Sequence, residues 1–158
     1  MSTKSGNLDP TERRAWRAVL HGSTHLLDRL DNELKARHGV PLADYDVLSN
    51  LAEADGQRLR MSELSEQTLF SPSRLTHRVG RLEDAGLVIR QTSSEDGRGV
   101  IAQLTAEGRS LHRRLAASHV QGVRSYLLDA LSPTEQQQLA GLLIKVLDGM
   151  QVHPQPPL

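Results

Sequence analysis

The chain has 158 residues, in which 19 Lys and Arg balance 19 Asp and Glu for a formal net charge of +0. Neutrality removes any global field toward nucleic acid or membrane, so a basic binding surface must be local. The absence of cysteine excludes disulfides, thiolate metal sites and thiol redox sensing. No apolar run approaches the roughly 18 residues of a membrane span, and the polar N-terminus is no signal peptide. A cytoplasmic protein is expected, built as one domain with helical extensions.

Residues 1–8 are polar and expected to be disordered, as is the proline-rich tail 152–158. Between them, three helix starts share one punctuation: Asp9-Pro10-Thr11-Glu12, Ser71-Pro72-Ser73-Arg74 and Ser132-Pro133-Thr134-Glu135. Each offers a side-chain cap acceptor followed by proline at the first helical position. The outer two place Glu at the third position, where a carboxylate completes a capping box and suits the helix dipole. The middle one places Arg74 there, a cation in an unfavourable turn unless water or an anion supplies its partner.

The first helix runs from Asp9 to about Arg37 and carries one apolar stripe through Trp16, Val19, Leu20, Leu27, Leu30 and Leu34 before His38-Gly39 ends it. A second follows Pro41, with Leu48, Leu51 and Ala52 inward, and stops at Asp55-Gly56. A short third helix covers about Ser62 to Thr68 without a hydroxyl cap, and a fourth runs from Pro72 to about Asp84. Leu87–Thr92 and Val100–Leu104 then read as two strands of a hairpin, joined by the polar residues Ser93 to Gly99. Thr105 caps a long fifth helix, and a sixth from Pro133 carries Leu139, Leu142, Leu143, Val146 and Met150.

This order predicts a mainly α fold with a small β-hairpin wing, a winged helix-turn-helix with long terminal dimerisation helices. Residues 9–38 form the N-terminal dimerisation helix, 41–104 the winged region and 105–151 the C-terminal dimerisation helices. The outer helices carry more apolar surface than so small a module can cover, and a two-fold pair is the economical solution.

On the fourth helix, Leu75, Val79 and Leu82 fall on one inward stripe. The opposite face gathers Ser73, Arg74, His77, Gly80, Arg81 and Asp84, with Thr76 and Arg78 on its flanks. Hydroxyls, guanidinium forks and an imidazole suit the base edges and phosphates of a major groove. In the hairpin, Arg98 stands between Gly97 and Gly99 with Asp96 two residues before it. An arginine presented on a narrow tip fits a minor groove, where negative potential concentrates.

Here the chain resembles the multiple antibiotic resistance regulator (MarR) family of bacterial transcription factors. Asp96-Gly97-Arg98, five residues, then Leu104-Thr105-Ala106-Glu107-Gly108 is similar to that family's wing signature, and Ser71 to Val88 is similar to its recognition helix. The resemblance spans about Asp9 to Met150. It implies a homodimer on double-stranded DNA, at a pseudo-palindromic operator, usually a repressor released by a small ligand. Ser71, Ser73, Arg74, Thr76, His77 and Arg81 become the helix candidates for DNA, with Arg98 in the minor groove and Asp96 orienting it. The pattern is departed from at Thr68-Leu69-Phe70, where many relatives carry glycine.

In that family, phenolic and carboxylate ligands bind between the dimer helices and the reading head. Trp16, Tyr45, Asp46 and Arg78 are the corresponding candidates for a small aromatic or phenolic effector, the alternative being core packing with Asp46 and Arg78 as a structural pair. His21 with His25, and His112 with His119, raise a zinc-responsive alternative, although a zinc site needs more ligands than these pairs supply. No other metal and no cofactor is expected. No phosphate-cradling loop, nucleophile elbow or H-E-x-x-H motif is present, so no catalytic residue and no enzyme is expected. A protein-docking adaptor is the remaining alternative.

Overall fold

A computed structural model of the chain describes residues 6–68, 70–92 and 99–152. The hairpin tip with Asp96 and Arg98 lies outside the described residues, as do Leu69 at the corner and most of the two segments expected to be disordered. The elements are α1 (Pro10–His38), α2 (Leu42–Glu53), β1 (Arg58–Arg60), α3 (Met61–Thr68), α4 (Pro72–Asp84), β2 (Val88–Thr92), β3 (Val100–Leu104), α5 (Ala106–Tyr126) and α6 (Pro133–Gly149), with single 3-10 turns before β1 and α6.

Two of the three proline-marked starts are capped as expected. Asp9 accepts from the amides of Thr11 (2.7 Å) and Glu12 (2.9 Å), while Glu12 accepts from the Asp9 amide at 3.0 Å. Ser132 and Glu135 repeat this capping box on α6. Helix α4 differs. Ser71 occupies the cap position, yet its hydroxyl bonds no first-turn amide and lies 3.4 Å from Ser73 Oγ. Helix α1 ends where Gly39 takes the left-handed conformation at φ 71°.

The remaining starts are held from a distance. Asp31 of α1 accepts from the Leu42 amide at 2.9 Å, a cap for α2 reached across the α1–α2 turn. Burial pushes the Asp31 carboxyl up, but Lys35 (2.6 Å) and that amide together hold it below the usual carboxylate value. On α3 the missing hydroxyl is replaced by Glu63, whose carboxylate accepts from the Arg60 amide at 3.0 Å.

The core gathers the C-terminal third of α1, helices α2 to α5 and the sheet. Leu34, Val47, Leu48, Leu51, Leu64, Leu75, Val79, Ala102 and Leu115 are each at most 1% exposed, and burying a leucine contributes about 1.5–3 kcal/mol. Helices α1 and α5 approach closely at Gly122, where an added methyl would lie 2.8 Å from Leu30 Cδ2.

The sheet has three antiparallel strands in the order β1-β3-β2. The hairpin pairs Val88 with Leu104 and Thr92 with Val100. Strand β1, absent from the sequence reading, adds Arg58 opposite Gln103 and Arg60 opposite Ile101. Three residues are too few to show an alternation.

Outside this core lie two long apolar faces. On α1, Leu30 and Leu34 are buried, whereas Trp16, Val19, Leu20 and Leu27 stand exposed. No described residue of α6 is buried, and Leu142, Leu143, Ile144, Val146 and Met150 all face outward.

Candidate nucleic-acid interface

Helix α4 turns Leu75, Val79 and Leu82 into the core, as its periodicity requires. Ser71, Ser73, Arg74, Thr76, His77 and Arg81 are exposed. The Thr76 hydroxyl donates to the Pro72 carbonyl at 2.8 Å, leaving its lone pairs outward. With no side-chain cap, the first turn presents amides and Arg74 together at the positive end of the helix dipole. Phe70, Ser73, Arg74, His77, Arg78 and Arg81 line a shallow depression of about 490 Å³ beside this face.

The wing is bolted to the far end of α4. Glu83 accepts from the Arg90 amide at 3.1 Å and from its Nε at 2.8 Å. The Arg90 guanidinium and amide together hold the Glu83 carboxyl below its ordinary value. Thr105 donates its hydroxyl to the Gly86 carbonyl at 2.7 Å and its amide to the Leu87 carbonyl at 3.1 Å. The same hydroxyl accepts from the Gly108 amide at 3.0 Å and so caps α5. A side chain at Gly108 would run into the Leu87 carbonyl oxygen. These contacts give a physical reason for the threonine and glycine of the wing signature, since together they seat the hairpin base on the start of α5.

The arginines of α4 are sorted by a residue the sequence reading missed. Asp44, in the first turn of α2 and only 6% exposed, accepts from Arg78 Nη1 at 2.7 Å and from Arg81 Nη2 at 3.0 and 3.1 Å. Arg78 also lies 5.0 Å over the Phe70 ring, and the Phe70 carbonyl accepts from Ser65 of α3 at 2.8 Å. Arg81, expected on the outer face as a DNA candidate, is exposed there and is also an ion-pair partner of α2. In sequence, Asp44 reads only as a favourable acid near a helix N-terminus.

The four effector candidates are not assembled within one chain. Arg78 pairs directly with Asp44, and it lowers the Asp46 carboxyl only through space. Asp46 is nonetheless unusual: burial, aided by Glu53, pushes its pKa up to about 6 against the pull of Asn50 and Arg78. Trp16 is 55% exposed. It lies roughly 22 Å along α1 from Asp31, at about 1.5 Å per residue, and Asp31 is where α1 meets the start of α2. Trp16 therefore cannot line one crevice with Tyr45 in the same protomer. Tyr45 instead packs between two histidines of α5, with ring centroids 5.8 Å from His112 and 4.8 Å from His119.

His21 and His25 stack at 6.3 Å between centroids. Among the described residues no group of three or more His, Cys, Asp or Glu side chains is arranged to hold a metal ion. Among the same residues no helix is long and apolar enough to cross a membrane.

Two helices meeting at a corner, a hairpin fixed to the second, and a polar, cationic outer face define a winged helix-turn-helix DNA-binding protein. Residues 38–99 match the MarR family. The transcriptional regulator PecS of Dickeya dadantii is 30% identical over 122 residues, 77% of this chain and 73% of that protein. The transcriptional repressor Rv2887 of Mycobacterium tuberculosis is 32% identical over 108 residues, covering 68% and 76%. The crystal structure of Sco3205, a MarR family regulator from Streptomyces coelicolor in complex with DNA, superposes with a TM-score of 0.89 at 38% identity, over 95% of this chain and 94% of that one. The chain belongs to the MarR family of transcriptional regulators.

Proposed function

We propose that the chain works in the cytoplasm as a homodimeric repressor of a pseudo-palindromic operator, released by a small phenolic or carboxylate-like ligand. The observation that carries the DNA reading is the outward face of α4, where an uncapped first turn and Arg74 converge. A helix N-terminus of this kind takes a phosphate, while Ser71, Ser73, Thr76 and His77 offer donors and acceptors to base edges and backbone. Asp96 and Arg98 lie outside the described residues, and their assignment to a minor groove rests on the likeness of their motif to the family's wing signature.

Dimerisation is supported by the uncovered apolar faces of α1 and α6. Repression is supported by the similarity to Rv2887, which is named a repressor. Ligand release rests on the family resemblance and on the half-buried Asp46, whose carboxyl pKa burial raises to about 6 and which feels Arg78 through space; Trp16 would join only from another protomer. A small rotation at the dimer base misaligns two heads that must meet half-sites about 34–36 Å apart.

Electrophoretic mobility shifts on the chain's own upstream DNA test this reading. Arg74→Ala should weaken binding and reduce the slope of log affinity against log salt by about 0.9 per lost phosphate contact. An unchanged slope would remove Arg74 from the interface.

A further inference from the structure

Three arginines, Arg74, Arg78 and Arg81, follow one another at four- and three-residue steps along one side of α4. Left to themselves they would form a continuous cationic stripe, attracted to any phosphate and blind to sequence. The structure breaks the stripe. Asp44 is 6% exposed and sits within 2.7 Å of Arg78 and 3.0 Å of Arg81. Arg78 is further held over Phe70. Only Arg74, one turn nearer the N-terminus, lies beyond this carboxylate's grip.

We propose that Asp44 is a positioning residue for operator discrimination: it ties Arg78 and Arg81 back to α2, so that Ser71, Ser73, Arg74, Thr76 and His77 read the groove without competition from two sequence-blind cations. The proposal rests on the DNA reading above and deepens it. Both guanidinium groups return to one buried carboxylate on α2, Arg78 to Oδ1 and Arg81 to both oxygens, while Leu75, Val79 and Leu82 seat the helix in the core. Neutralising Asp44 releases two guanidinium forks to a surface already facing phosphate, and a released fork binds every duplex alike.

This makes a prediction opposite to that of a merely structural ion pair, whose loss weakens all binding. The probes are a duplex that the wild-type chain selects from a random pool and a scrambled duplex of the same length and composition, each titrated over a salt series. Asp44→Asn should bind the scrambled duplex more tightly than wild type, with a salt slope steeper by about 0.9 for each arginine that reaches a phosphate. Its selected-to-scrambled affinity ratio should fall by about tenfold or more, and Asp44→Glu should restore the wild-type slope. Arg81→Gln serves as the second variant should Asp44→Asn not fold: it should leave the slope unchanged. A ratio and slope for Asp44→Asn equal to wild type overturn the proposal. So does an Arg81→Gln slope reduced by about 0.9, which would put Arg81 on a phosphate directly. A wild-type chain that selects no duplex sinks the DNA reading itself, whereas wild-type selection with an indifferent Asp44→Asn sinks the positioning role alone.

Discussion

The Thr105 hydroxyl donates to the Gly86 carbonyl at 2.7 Å, joining the first residue after the wing to the turn that ends the reading helix. The same oxygen caps α5 through the Gly108 amide, so one side chain couples α4, the hairpin and α5. Thr105→Val keeps the shape and removes both bonds. It should destabilise the fold by about 1–2 kcal/mol in urea denaturation, the usual size of a lost cap. Gly108→Ala forces a methyl against the Leu87 carbonyl and should cost about 1–3 kcal/mol. A neutral Gly108→Ala would mean that the contact between wing base and α5 is looser than described.

Asp46 makes stability depend on pH in a defined direction. Burial raises its folded-state pKa to about 6, above the unfolded value of 3.8, so the folded chain binds this proton more tightly than the unfolded one. The ionised carboxylate therefore opposes folding near neutrality, and the penalty fades as pH falls through about 6 toward 4. Asp46→Asn should be the more stable protein at neutral pH, by about 1 kcal/mol once solvent screening is discounted. Paired urea melts across this range should show the advantage shrinking to nothing at the acid end. A constant advantage would refute the assignment.

His119 acts in the opposite sense. Burial holds its imidazole below the ordinary value, and its Nδ1 is buried without a hydrogen-bond partner. A base with a depressed folded-state pKa favours the unfolded chain as protons are added, so stability falls below about pH 6.5. His119→Phe retains a ring against Tyr45 and removes the orphaned nitrogen. Its stability should decline less steeply than wild type on acidification, measured by thermal melts at matched ionic strength. An identical decline would place the acid sensitivity elsewhere.

The uncovered face of α6 should be decisive for assembly. Leu142→Asp with Val146→Asp puts two charges on the exposed apolar face of a helix none of whose described residues is buried, so the winged module should stay folded by circular dichroism. Sedimentation velocity should show a dimer for wild type and a monomer for the variant. Operator affinity should fall by about 100-fold or more, because two linked heads gain that much from effective concentration. A dimeric variant would place the contact on another surface.

Legibility of the sequence followed the range of the interactions. Helix α4 was readable residue by residue because Pro72 marks its start and Leu75, Val79 and Leu82 repeat on one side, all local signals. The long outer helices were legible as helices, and their apolar stripe proved longer than the core that receives it. Strand β1 escaped notice because it owes its existence to β3, more than 40 residues onward. The α2 cap was hidden for the same reason, since Asp31 reaches the Leu42 amide across a turn. Asp44 was the most consequential omission: its partners lie 34 and 37 residues away, and no local pattern distinguishes a clamp from a helix-start acid. Ser71 failed in the other direction, since cap propensity predicts a bond that the Ser71 hydroxyl does not make.

The most direct test is a hydroxyl-radical footprint of the purified chain on its own upstream region, repeated with Arg98→Ala. Wild type should protect two patches centred about 10–10.5 base pairs or a multiple apart, and Arg98→Ala should lose protection at the outer flanks while the central patches persist. A single protected patch, or flanks equally protected by both proteins, would contradict a paired reader with an arginine at each wing.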